Sequence, residues 1–209
     1  PVTVASWKTP CSHTALVRAY SDFIIRGMNL QSSSHYASAK PSQEIVITYM
    51  ARRPTTVWPE KRFCDDKRSF FLCKLWDTFG IRPLKRQMQN DDELVECLKS
   101  LENREYSNGA SVKFNDQDFN LLTIREQIKQ DLRTDILIGP HGAGLTHTTF
   151  LRDRGVVIEL LVDGNQHFHN LAKWAGKKYV HGPGGNPVDL KKLESTVVRE
   201  IEAMDLNTY

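Results

Sequence analysis

The residues Asp135-Ile-Leu-Ile-Gly-Pro-His141-Gly-Ala-Gly-Leu-Thr-His147 hold the clearest strand-to-helix junction in the chain. Ile136 to Ile138 is a short apolar run, the pattern of a strand buried on both faces. Gly139 and Pro140 close it, Gly142 and Gly144 flank Ala143, and a helical pattern follows over Ala143–Leu151. In an open α/β sheet, ligands bind beyond the carboxyl ends of the strands. Small residues let the backbone approach a ligand, and free amides at a helix start can hold phosphate. His141 stands at that end, suited to donate to a phosphate or sugar oxygen or to take part in proton transfer. The spacing Gly-x-x-Gly-x-Gly is not a dinucleotide fingerprint, and no Gly-Lys-Ser/Thr follows to make a Walker A loop. The plainer alternative is a tight turn that His141 caps.

Downstream, short strands and helices alternate. Val156–Leu161 reads as a strand, His167–Ala175 as a helix ending at Gly176, Lys177–His181 as a strand, and Gly182–Pro187 as a turn-rich loop. Leu190, Leu193, Val197, Ile201 and Met204 recur at helical spacing and predict a closing helix over 190–204. Upstream, Leu121, Leu122, Ile124, Ile128 and Leu132 make another helical pattern, and Ala110–Phe114 reads as a strand. Asn90–Leu101 is expected to be a helix with Asn90 as N-cap and Glu93 closing a capping box. Phe70–Phe79 is a further helix candidate, 55–68 is charged and irregular, and Gln31–Ser42 is a serine-rich loop. Ile45–Met50 is a β-branched strand, followed by Arg52 and Arg53, and Ala15–Leu30 is a helix. The pattern predicts an α/β fold with a mostly parallel sheet. It divides as a helix and linker over 1–42, a Rossmann-like domain over 43–185, and a closing helix over 186–209.

Composition narrows the classes. With 209 residues, 40% hydrophobic and 25% charged, the chain reads as a soluble globular protein. The net charge of +3 arises from 28 basic and 25 acidic side chains, too even to imply a nucleic-acid partner. No apolar run approaches the ~20 residues of a transmembrane helix. The four cysteines, Cys11, Cys64, Cys73 and Cys97, form no zinc spacing and leave room for one or two disulfides. Pro1 opens the chain without an initiator Met or signal peptide, so a processed product or an excised domain is expected.

Several side chains suit a phosphorylated ligand. Arg52 and Arg53, and Lys85 and Arg86, are basic pairs able to fork onto a diphosphate or simply to face solvent. Glu159 lies inside an apolar strand and must be paired or face a ligand, either across two sugar hydroxyls or in a structural salt bridge. Glu126 and Gln127 precede the glycine motif as ligand contacts or plain surface residues. Asp163, His167 and His169 offer three metal-type ligands without a recognised zinc spacing. Gly-x-Ser-x-Gly and His-Glu-x-x-His are both missing, which disfavours an α/β-hydrolase and a zinc protease.

The order of these pieces resembles glycosyltransferase family 61. Asp135 to Phe150 followed by Gly155-Val-Val-Ile-Glu-Leu160 is similar to its signature. Ile45-Val-Ile-Thr-Tyr-Met-Ala-Arg-Arg53 resembles its strand ending in arginine, and Lys85-Arg-Gln-Met-Gln-Asn90-Asp-Asp-Glu93-Leu its Arg-Arg-x-x-Asn-Glu-x-Glu-Leu segment. Glu126-Gln-Ile128 is similar to its Glu-Gln-Ile. The resemblance implies the C-terminal, donor-binding half of a GT-B fold, with a missing N-terminal half completing the acceptor site. It implies inverting transfer of N-acetylglucosamine or xylose from a UDP-sugar to a glycan or glycoprotein hydroxyl, without a metal and in the Golgi or endoplasmic-reticulum lumen. It assigns Arg53 and Arg86 to the diphosphate beside the Gly142, Ala143 and Gly144 amides. His141 falls at the phosphate or donor sugar, and Glu159 at the ribose. Asn90, Glu93 and Gln127 join the donor site. The alternative is a non-catalytic nucleotide or phosphosugar binding domain.

Overall fold

The computed structural model describes residues 15–30, 43–53, 87–162 and 164–206. The expectations for 1–12, Gln31–Ser42, 55–68, the Phe70–Phe79 helix, Lys85, Arg86 and Asp163, and for the cysteines other than Cys97, lie outside the described residues. The chain divides into two compact units, Pro1–Ala51 with Met88–Tyr209, and Arg52–Gln87. The first unit holds every element that follows.

Five strands, β1 (Glu44–Ala51), β2 (Ser111–Asp118), β3 (Ile136–Pro140), β4 (Val156–Leu160) and β5 (Lys178–His181), form one sheet in the order β2-β1-β3-β4-β5. Every neighbouring pair is parallel. The chain starts in the middle, moves out to β2, then reverses across β1 to β3, β4 and β5. That reversal opens a topological switch point between the carboxyl ends of β1 and β3.

Burial on both faces explains why the central strands read as continuous apolar runs rather than alternating ones. All of β3 and β4 is buried, as is β1 beyond Glu44. On one face Ile45, Ile47, Ile136, Ile138 and Ile158 pack against Leu94 and Leu98 of α2 (Asp91–Ser100), here the second described helix. Leu193, Val197 and Ile201 of the closing helix (Leu190–Glu202) join the same cluster. On the other face Met50, Leu137 and Val157 meet Leu145, Leu151 and Phe168. The helix over Ala15–Gly27 is α1; Ile124–Asp131 is α3, His167–Trp174 is α4 and Leu190–Glu202 is α5. α1 and α3 meet through Ile25, Ile128 and Leu132. The architecture is Rossmann-like, a parallel sheet between helical layers.

Two local expectations change. The helix expected around Leu121 to Leu132 starts only at Ile124, because the Thr123 side chain accepts from the Glu126 amide and Glu126 reaches back in a full capping box. Leu121 and Ile124 consequently stand 64% and 53% exposed instead of joining the apolar face. β2 runs four residues past the expected Phe114, to Asp118, with mixed polarity suited to a sheet edge. Among the described residues no helix is long and apolar enough to cross a membrane.

Candidate functional site

The glycine motif falls at the carboxyl end of β3, beside the switch point. Residues Ala143–Phe150 form a 3-10 helix rather than an α-helix. Its first internal bond runs from the Leu145 amide to the Gly142 carbonyl at 2.9 Å. The amides of Ala143 and Gly144 therefore precede the helix's own hydrogen bonding, as the leading donors of any helix do. Gly144 is also a packing residue: a Cβ there would lie 2.4 Å from the Met50 sulfur on β1. The glycine thus lets the loop sit directly on the end of the neighbouring strand.

His141, one residue past β3, is buried at 5% exposure. Its Nδ1 is bonded to Glu159 of β4. Glu159 is 0% exposed, and its second oxygen accepts a 2.5 Å hydrogen bond from the Tyr179 hydroxyl of β5. Parallel pairing makes this row: Gly139 stands opposite Glu159, and Val157 opposite Tyr179, so His141, Glu159 and Tyr179 share one sheet face. A carboxylate on Nδ1 holds the imidazole with its proton on that nitrogen and fixes the ring plane. The Phe168 ring meets His141 edge-on, with centroids 5.1 Å apart. Burial, and then the hydrogen bond and charge of Glu159, push the Tyr179 phenol well above its ordinary value. Such a histidine can hold a hydrogen bond to a ligand oxygen in one orientation, or move a proton at Nε2.

The other sequence candidates divide. Glu159 uses both oxygens inside the protein, the salt-bridge alternative rather than open contact with a sugar. Gln127 donates to the Phe119 and Leu122 carbonyls at 2.7 and 2.9 Å and thereby ties down the turn before α3. Asn90 occupies the N-cap position of α2 but makes no side-chain cap. Its amide instead pairs with both backbone groups of Val188, at 2.9 and 3.0 Å, and anchors the segment that leads into α5. Glu93 is exposed on the first turn of α2 and closes no capping box. Arg53 is half-buried and belongs to the second unit.

Two features escaped sequence reasoning. Tyr179 reads as an ordinary strand residue, because its partner is brought close only by β4–β5 pairing. His147 is bonded through Nδ1 to Asp131 at the end of α3, a second buried histidine–carboxylate pair. The one sequence signal was an aspartate in the last turn of a helix, where the dipole disfavours negative charge. Asp135 is different again. It immediately precedes β3, 0% exposed, and takes Arg152 at 2.9 Å, Arg154 at 2.8 Å and the Val46 amide at 2.8 Å. Among the described residues no three His, Cys, Asp or Glu side chains are grouped to hold a metal ion.

Residues 30–158 match the sequence profile of the family Glycosyltransferase 61. The chain is 36% identical over 171 residues to the EGF domain-specific O-linked N-acetylglucosamine transferase of Bos taurus, covering 81% of this chain and 25% of that protein. It is 28% identical over 172 residues to the Drosophila melanogaster protein of the same name, covering 81% and 24%. With the Gallus gallus protein it shares 38% over 96 residues, 46% of this chain and 17% of that one. The chain spans a quarter or less of the length of these relatives. The match from the strand before Arg53 through the glycine motif and into β4 carries one conclusion: the chain belongs to the glycosyltransferase 61 family.

Proposed function

We propose that this chain is the donor-binding part of an inverting glycosyltransferase that moves N-acetylglucosamine or xylose from a UDP-sugar to a hydroxyl of a glycan or glycoprotein. The observation that carries the proposal is the glycine loop at the β1–β3 switch point, with His141 fixed beside it by a buried carboxylate. A nucleoside diphosphate carries its charge on oxygens that accept hydrogen bonds. The leading amides of the 143–150 helix suit those oxygens, and the end of a sheet at its switch point is where such ligands bind.

In this reading the Gly142, Ala143 and Gly144 backbone receives the diphosphate, and Arg53 and Arg86 supply positive charge as the leaving group departs. His141 donates to a donor oxygen or receives the acceptor proton as the hydroxyl attacks C1. Glu159 acts behind it, keeping the ring oriented. Asn90 and Gln127 act through the segments they anchor, and Glu93 through the first turn of α2. The relatives' name specifies EGF domains, so the acceptor class proposed is a folded protein domain of the secretory lumen, engaged together with sequence that these relatives have beyond the matched quarter.

Calorimetric titration with UDP, beside GDP and with and without divalent cation, tests the proposal. Binding of UDP in preference to GDP and without metal is expected, and His141→Ala and Arg53→Ala are expected to weaken it. Binding of neither nucleotide, by this chain and by a longer one that includes the matched relatives' remaining length, overturns it.

A further inference from the structure

We propose that Asp131 and His147 are a positioning pair for the diphosphate-binding loop: their contact clamps the 143–150 helix to α3 and holds the Ala143 and Gly144 amides in one orientation. The inference rests on the donor-binding reading above, and it concerns residues that the reading does not use.

The argument starts from the helix itself. A 3-10 run rarely exceeds three or four residues, because its hydrogen bonds are poorly aligned. This one is eight residues long. Three threonines support it from within: the hydroxyls of Thr146, Thr148 and Thr149 donate to the carbonyls of Ala143, Leu145 and Thr146 at 2.7, 2.6 and 3.1 Å. Two ties hold it from outside. The Ser21 hydroxyl of α1 donates to the Thr149 carbonyl at 2.9 Å. His147, in the middle of the run, is bonded to Asp131.

The second tie is costly to maintain. Asp131 is 0% exposed, and among the described residues its Oδ1 has no hydrogen-bond partner. The His147 ring lies edge-on to Phe119 with centroids 4.9 Å apart and tilted to Phe150 at 6.2 Å, so the surroundings are apolar. Burial pushes Asp131 up to about 6 even though the His147 hydrogen bond and charge draw it down. Three charged groups on the packed elements are engaged elsewhere. On α3, Arg125 donates to the Met28 carbonyl and Glu126 is held by Thr123. At the end of β2, Asp118 accepts from Asn120. A buried polar pair is weak as a stabiliser when apolar side chains of equal volume could replace it. Its value here is directional: it fixes the rotation of the helix that begins with the glycine loop.

Asp131→Asn and His147→Gln test the proposal, with Tyr106→Phe as a control that loses a buried 2.8 Å hydrogen bond to the Leu101 carbonyl on the opposite sheet face. The probe is UDP-N-acetylglucosamine, whose diphosphate is blocked at both ends and does not itself titrate near neutrality. Affinity is measured well below each melting temperature, with amide hydrogen exchange over 142–150. Both pair variants are expected to weaken binding about tenfold, a factor worth about 1.4 kcal/mol, and to speed exchange at Leu145, whose amide bonds to the Gly142 carbonyl. The wild type is expected to bind less tightly as the pH falls through about 6, where Asp131 gains its proton, and Asp131→Asn to lose that limb of the profile. Tyr106→Phe is expected to melt earlier with its affinity unchanged. Unchanged affinity and unchanged loop exchange in both pair variants overturn the positioning role and leave the donor reading standing. A wild type that binds no nucleotide sugar overturns the donor reading and the proposal with it.

Discussion

Replacing Tyr179 with Phe removes one hydroxyl from a fully buried carboxylate and leaves the ring in place. Glu159, 0% exposed, then keeps only His141, among the described residues, as a side-chain partner of its carboxylate. A hydrogen bond to a charged group contributes about 1.5–3 kcal/mol. The Tyr179 side chain is only half-buried, so water competes for its hydroxyl and the lower figure, about 1.5 kcal/mol, applies. At about 2–4 °C per kcal/mol for a chain of this size, the melting temperature falls by roughly 3–6 °C. The pH dependence adds a second, independent arm. The folded-state phenol is held above its unfolded value of about 10, so above that pH the folded state binds more protons than the unfolded state. Stability is therefore lost as the pH rises beyond about 10, at about 1.36 kcal/mol per pH unit, and the Phe variant lacks this loss. The urea-melt stabilities of the two proteins should meet near roughly pH 11, where the accumulated loss equals the 1.5 kcal/mol advantage. A loss below about 0.5 kcal/mol at neutral pH, or two stability curves that stay parallel to pH 11, would refute the claim that the phenol donates to a charged, buried Glu159.

Three further outcomes follow from other parts of the fold. Asp135→Ala should destabilise by about 3–5 kcal/mol, since it strands the nearly buried Arg154 beside the Val46 amide; a loss under about 1 kcal/mol in urea melts would contradict this. Gly182→Ala should cost more than Gly144→Ala. The new Cβ at 182 meets the Glu159 carbonyl at 2.9 Å, which cannot move alone, whereas at 144 it meets the mobile end of Met50; equal melting temperatures would refute the distinction. For Asp131, whose folded-state value is raised by burial to about 6 from an unfolded value near 4, the folded state holds the extra proton between those values. Its stabilising effect is therefore present below about 4 and lost as the pH rises through 6; a stability-versus-pH profile that Asp131→Asn leaves unchanged would show that the buried carboxylate does not titrate there.

The sheet was legible because its three central strands, β1, β3 and β4, are buried and announce themselves as apolar runs. The glycine turn was legible because it must interrupt such a run. Side-chain roles were harder to read. Asn90 and Gln127 looked like cap or ligand residues in their own segments, but their partners, Val188 and the Phe119 and Leu122 carbonyls, are chosen by packing. The break at Thr123 carried a readable signal, Thr followed three residues later by Glu, and the apolar period running through it masked that signal. Glu159 was marked as needing a partner or a ligand, while its partners lie just past β3 and on β5. Periodicity reports burial; it carries no record of which buried groups meet.

β3 has an ion cluster at one end and the histidine row at the other. Asp135 and His141 are six residues apart along an extended strand, a span of about 20 Å. Substitutions so far apart, with no shared partner, combine nearly additively. The strand works as an insulated bar. Its amino end can be strengthened or weakened to suit a hotter or colder host without touching a partner of the histidine row, so the stability set at one end and the geometry held at the other are free to change along separate lines across one five-residue element.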